Sequence, residues 1–78
     1  MNNFDNLKRS YIETIHLGMS LGAKYSEAKY GNDLTHKFCE LLVESSDYSE
    51  KDKRQMKQEL KQVKEVLSAE IEASYKDN

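Results

Sequence analysis

The segment 50–75, EKDKRQMKQELKQVKEVLSAEIEASY, carries the clearest structural signal in the chain. Its apolar side chains recur at steps of four, three, four and four residues, the period of one face of an α-helix. They are Met56, Leu60, Val63, Leu67 and Ile71. Ser49, with Asp52 three residues later, is a helix-start signal related to the capping box. The pattern therefore predicts a helix over 50–75 with a narrow apolar stripe, like a coiled-coil seam.

Two turn signals divide the rest of the chain into two more helices. One is the polar segment 45–49, and the other is 31–33, where glycine permits a helix end and Asn or Asp can cap the next helix. We therefore predict helices over about 4–30, 33–45 and 50–75. The chain has no proline and only three glycines. The predicted fold class is all-α, with two long helices and one short helix in an antiparallel bundle that forms one domain over 1–78.

The first predicted helix carries an apolar face and a stripe of small residues. The apolar face consists of Phe4, Leu7, Tyr11, Ile12, Ile15 and Met19. The small residues Gly18, Gly22 and Ser26 follow at four-residue spacing, which lets another backbone approach closely. This stripe has three interpretations: a tight crossing with another helix, a self-contact across a two-fold axis, or a kink near the two glycines.

The second predicted helix is short and has its own apolar positions. They are Leu34, Phe38, Leu41 and Leu42. Isolated helices of fewer than about 12–15 residues are marginal in water. We therefore expect this helix to be the central packing piece of the bundle.

The supply of core-forming side chains is small for a self-sufficient domain. Leu, Ile, Val and Phe make up 16 of 78 residues, and the single cysteine, Cys39, excludes an internal disulfide. Small chains usually need a staple or a partner. We therefore expect the bundle to be completed by oligomerisation, most simply a dimer. The predicted oligomer interface is the stripe Met56, Leu60, Val63, Leu67 and Ile71.

Charges on the third helix run against its macrodipole, which favours acids early and bases late. The half 51–64 has six basic and two acidic residues, a net of +4, and 65–78 has one basic and four acidic residues, a net of −3. Antiparallel pairing of two copies would match these halves. The alternatives are that the charges are simply solvated, or that the basic half docks onto an acidic partner.

Tyrosine and lysine side chains of the first predicted helix form the predicted partner-binding surface. Tyrosine is enriched at protein interfaces. The residues are Tyr11, Tyr25, Tyr30, Lys24 and Lys29. The same side chains could stack on a base and meet a phosphate, but the two Ala-Lys-Tyr units lie five residues apart and so do not share one helix face.

The residues offer little for catalysis or for metal binding. His36, Cys39 and Glu40 share one helix face, but structural zinc needs four ligands and catalytic zinc needs three and a water. A Cys–His nucleophile would also need an oxyanion site and a pocket. We therefore predict no enzyme activity, no metal site and no cofactor.

Composition also restricts the partners and the compartment. The chain has 12 basic and 14 acidic residues, a net charge of −2, which disfavours nucleic acid as a general partner. No apolar run approaches the roughly 20 residues of a membrane span, and 1–9 lacks the order of a secretory signal. We expect a cytoplasmic protein.

Size and composition resemble the small lysine- and asparagine-rich helical accessory proteins of large tailed phages, a group that includes lysis-inhibition factors and inhibitors of host enzymes or defences. The resemblance covers the whole chain, from Met1-Asn2-Asn3-Phe4 to Tyr75-Lys76-Asp77-Asn78. It rests on no motif and carries over no residue role. It implies a non-enzymatic protein that inhibits or redirects a host or phage protein. The alternatives are a protein that sequesters an anionic nucleotide signal and a weak nucleic-acid-binding regulator that uses 51–64.

Overall fold

The computed structural model describes residues 3–76, which form three α-helices without a β-strand in that range. Helix α1 spans Asn3–Ser20, α2 spans Tyr25–Glu44 and α3 spans Glu50–Tyr75. The bundle is elongated, measuring 44 × 19 × 17 Å. The predicted all-α fold with three helices is confirmed.

The third helix begins and ends where the sequence predicts. The Ser49 side chain accepts a hydrogen bond of 3.1 Å from the backbone N–H of Asp52, which satisfies a donor that the first turn leaves free. The helix then continues for 26 residues, to Tyr75. The interpretation of Ser49 as the N-cap is confirmed.

The predicted boundary between the first two helices is wrong. The chain turns back over 21–24, where Gly22 has a φ of +93°, a conformation that favours glycine. The N–H of Gly22 bonds to the carbonyl of Met19 at 3.1 Å, and that of Ala23 to the carbonyl of Gly18 at 3.0 Å, which is a Schellman helix end. Among the three interpretations of the small residues, a break near the glycines comes closest to this turn, since Ser26 already belongs to α2.

The segment 31–33 lies inside α2, so the second helix is not short. Helices α1 and α2 have 18 and 20 residues. Asn32 does not cap a helix, because its side chain is buried and bonds to α3. Gly31 faces α1, where a Cβ atom would lie 3.9 Å from the Cδ1 atom of Ile15.

The core lies along the axis where the three helices meet, and α3 contributes its centre. The buried apolar side chains are Phe4, Tyr11 and Ile15 of α1, Ala28, Cys39 and Val43 of α2, and Leu60, Leu67 and Ile71 of α3. Leu60 and Ile71 are 0% exposed, and Met56 and Val63 pack against this core. The prediction that this α3 stripe is an oligomer interface is therefore wrong, because the chain's own α1 and α2 already bury it.

The reversed charges of α3 find partners within the same chain. In the basic half, Lys57 lies 2.7 Å from Glu44 and Lys64 lies 3.4 Å from Asp33, both acids of α2. In the acidic half, Glu70 lies 2.9 Å from His16 of α1. These contacts give the charge layout a role in packing the monomer, so it no longer requires a second α3.

Candidate protein-binding face

Helix α2 carries two separate apolar faces. Its inner face is in the core, as described above. The apolar residues of the second face recur at steps of four, four, three and one residue, and their side chains are exposed. We call this set the outer face of α2; it consists of Tyr30, Leu34, Phe38, Leu41 and Leu42. The inner face packs against α1 and α3, so the outer face is a second apolar surface, and its side chains remain exposed within residues 3–76.

The outer face is contiguous and has the width of one helix. At about 100° per residue its five side chains cover an arc of about 120°, and they extend over about 18 Å along the axis. Phe38 is 61% exposed and Leu41 is 63% exposed. Single exposed apolar residues are normal, but a contiguous patch is typical of an interaction site.

One flank of the outer face is already electrically balanced within the chain. Asp33 and Glu44 are the two acids that pair with Lys64 and Lys57 of α3. The hydrogen bond from Lys57 lowers the pKa of Glu44. Lys37 is exposed and makes no ion pair with any residue in 3–76. A partner on this face therefore meets one unpaired cation beside an apolar stripe.

The predicted tyrosine–lysine surface is only partly assembled. Tyr25 donates a hydrogen bond of 2.5 Å to Glu72, and its ring centroid lies 5.9 Å from that of Tyr75. The Nζ atom of Lys29 lies 5.1 Å from the Tyr25 ring centroid and 3.9 Å from Glu72. Lys24 is the N-cap residue of α2, and its backbone N–H donates to Glu27. These contacts hold the start of α2 against the end of α3.

Two of the predicted surface tyrosines lie elsewhere. Tyr30 is on the outer face of α2 and is exposed. Tyr11 is 1% exposed, so its assignment to a partner-binding surface is wrong. Its hydroxyl donates to the side-chain and main-chain oxygens of Asn32, and burial raises its pKa. Tyr11 therefore acts in the core.

The residues considered for metal binding or nucleophilic chemistry do not form a site. Cys39 is buried in the core, and burial raises the pKa of its thiol, which disfavours the reactive thiolate. His36 and Glu40 lie beside each other, with Nε2 and Oε2 3.7 Å apart. Between residues 3 and 76, no group of three or more His, Cys, Asp or Glu side chains is placed to hold a metal ion.

Sequence reasoning missed the outer face because it assigned Leu34, Phe38, Leu41 and Leu42 to the core. The misplaced boundary at 31–33 shortened α2 and concealed its true inner face. That face is built from small and polar residues, with Ala28, Asn32, His36 and Cys39 among them. The sequence does contain a signal for this arrangement. The inner-face residues and the large apolar residues of the outer face lie on different sides of a helix with 3.6 residues per turn, which indicates two faces on one helix.

The chain has no significant match to any protein-family model, any curated protein or any solved structure. None of the helices within 3–76 is both long enough and apolar enough to span a membrane.

Proposed function

We propose that this chain is a non-enzymatic regulatory protein that binds another protein and blocks or redirects it, as the composition of small phage inhibitors suggests. The observation that supports a binding function best is the exposed outer face of α2, because no other helix face in 3–76 exposes so many large apolar side chains. We assign a second copy of this chain to that face. The dimer is then the unit that acts on a target protein. It presents two copies of each surface that the dimer contact leaves exposed.

The apolar content of the outer face allows a dimer of at most moderate affinity. Leu34, Phe38, Leu41 and Leu42 are each about half exposed. Full burial of such a side chain contributes about 1.5–3 kcal/mol, so covering these four on both copies contributes about 6–12 kcal/mol. Association itself costs roughly 4–15 kcal/mol. The most favourable combination of the two ranges leaves about 8 kcal/mol, which corresponds to a dissociation constant of about 1 µM, so we expect a reversible dimer and not a permanent one.

The charges beside the outer face fit antiparallel pairing of two α2 helices. A two-fold axis near Phe38 brings Lys37 close to Glu40 of the second copy, and the contact occurs twice. It also brings Asp33 towards Glu44 of the second copy. That approach is tolerable because each of these acids is already paired with a lysine of its own α3.

The alternative binding functions have weaker support. A nucleotide at the predicted tyrosine–lysine surface would meet the carboxylate of Glu72, which already accepts the Tyr25 hydroxyl. Nucleic acid on 51–64 would compete with Asp33 and Glu44 for Lys64 and Lys57. Acids in both places reduce the attraction for a polyanion.

The test is a double substitution on the outer face, Phe38→Ser with Leu41→Ser. Both side chains are mostly exposed in the monomer, so we expect the helical circular dichroism signal to be retained and the dimer to be lost in sedimentation velocity. The matched control is Val66→Ser, which removes an apolar side chain of 60% exposure from α3. The control should sediment like the unsubstituted protein. Equal self-association of both variants would show that the assignment of this face is wrong.

A further inference from the structure

A groove runs between α2 and α3, separate from the outer face of α2. Its volume is about 660 Å³. Small-molecule sites usually measure about 300–1,000 Å³, so the groove has the size of such a site. The residues that concern its chemistry are Arg54, Lys57, Lys61 and Lys64 of α3 and His36 and Glu40 of α2.

The cations of the groove form one row along α3. Arg54, Lys57, Lys61 and Lys64 follow at steps of three, four and three residues, which places them on one flank of the helix. Lys57 and Lys64 are paired with acids of α2, whereas Arg54 and Lys61 are exposed and make no ion pair with residues 3–76.

Two acids also line the groove, Glu40 of α2 and Glu65 of α3. Asp33 and Glu44 pair with Lys64 and Lys57 of the lining, so the four cations face four acids and the groove has no net excess of positive charge. The two cations that remain available to an anion are Arg54 and Lys61, since neither has an acid as ion-pair partner among residues 3–76.

His36 adds an unsatisfied polar atom to the lining of this groove. The residue is 9% exposed, and its Nε2 atom is buried without a hydrogen-bond partner. The nearest charged group is the Glu40 carboxylate, 3.7 Å away. Buried polar atoms in native proteins nearly always have partners, so this nitrogen in the wall of the groove is available for a hydrogen bond with a ligand.

We propose that the groove binds a small anion bearing phosphate groups. Phosphate oxygens are multiple strong acceptors and fit both the guanidinium of Arg54 and the ammonium of Lys61. A further oxygen accepts a hydrogen bond from Nε2 of His36, with the Glu40 carboxylate moving aside. The Glu40 carboxylate is thus a competitor of the anion for this site. This inference does not rest on the dimer, although Glu40 of the groove is also the acid that lies near Lys37 of the second copy in the proposed pairing.

The test uses tripolyphosphate as the probe in isothermal titration calorimetry at fixed pH and ionic strength. We expect saturable binding at one site per chain. Lys61→Gln should weaken it by about tenfold or more, since a hydrogen bond to a charged group is lost. Glu40→Gln should strengthen it, because the competing carboxylate is removed. Lys51→Gln is the control, since it makes the same charge change on an exposed residue of α3 outside the groove.

Different outcomes would overturn the proposal. Equal weakening by Lys61→Gln and Lys51→Gln would mean that the probe senses only the overall charge. The NMR signal of the His36 ring should shift on titration in the unsubstituted protein, and an unchanged signal with saturable binding would place the probe elsewhere. The affinity per binding site should also be measured for a single-stranded polynucleotide. If the polynucleotide binds more tightly than tripolyphosphate, the groove is a nucleic-acid surface and not a small-anion site.

Discussion

Leu60→Ala is expected to lower the free energy of unfolding by about 2–5 kcal/mol. Leu60 is 0% exposed and lies in the middle of α3, where the three helices meet. The substitution removes a buried side chain and leaves a cavity that the surrounding helices fill only in part. A domain of this size has about 3–5 kcal/mol of stability, so we expect the variant to be largely unfolded at 25 °C.

Urea unfolding followed by circular dichroism measures this loss, with Leu41→Ala as the control. Leu41 is the same residue type but is 63% exposed, so its truncation should change monomer stability by less than about 0.5 kcal/mol. Both unfolding curves should be measured at a concentration where the protein is monomeric. If Leu60→Ala kept its stability and lost only its self-association, the α3 stripe would be an oligomer interface and the core described here would be wrong.

Asn32→Ala is expected to cost about 2–3 kcal/mol, the second largest effect. The Asn32 side chain is 1% exposed and connects all three helices. Its Nδ2 atom donates to the carbonyl of Lys64 and to the hydroxyl of Ser68, each at 3.1 Å, and its Oδ1 atom accepts from Tyr11. Removing it deletes these hydrogen bonds, at a cost of about 1–3 kcal/mol, and leaves a small cavity. The Tyr11 hydroxyl keeps its bond to the main-chain carbonyl of residue 32.

A double-mutant cycle with Tyr11→Phe separates the hydrogen bonds from the packing. Tyr11→Phe removes only the hydroxyl, and we expect it to cost about 1–2 kcal/mol because Oδ1 of Asn32 then has no donor. The two substitutions should be less than additive, because each removes the same bond. If the two changes in the free energy of unfolding, measured with urea, were fully additive, the two side chains would not act together.

The sequence predicted α3 correctly because its local signals agree with its packing. The stripe from Met56 to Ile71 has the helical period, and Ser49 caps the helix as predicted. Flanking lysine and glutamate are strong helix formers. The fold class followed from this helix and from the absence of proline.

The turn between α1 and α2 was misplaced because glycine alone does not mark a turn. Gly22 and Gly31 are both plausible helix ends in the sequence, and Asn32 after Gly31 strengthens the wrong one. The structure uses Gly22 for its positive φ, whereas Gly31 lies inside α2, where an added Cβ atom would make only an ordinary contact of 3.9 Å with Ile15. Asn32 is a core residue because its amide satisfies groups on α1 and α3, which no local pattern reveals.

The candidate binding face was hidden for a related reason. A helix with one apolar set is assumed to bury it, and Phe38 and Leu41 have the expected spacing for a core face. Which set is buried depends on the neighbouring helices: Cys39 and Val43 lie in the core, and Phe38 and Leu41 remain exposed. Periodicity identifies a face but not its neighbour.

Sedimentation equilibrium of the unsubstituted protein over about 5–500 µM tests most directly whether the outer face of α2 takes a second copy. We expect the average mass to rise from that of the 9.1 kDa chain to twice that value within this range, with protection of the α2 amides in hydrogen exchange increasing in parallel. A mass that remains at one chain across the range would contradict the account. So would a dimer in which the α2 amides gain no protection.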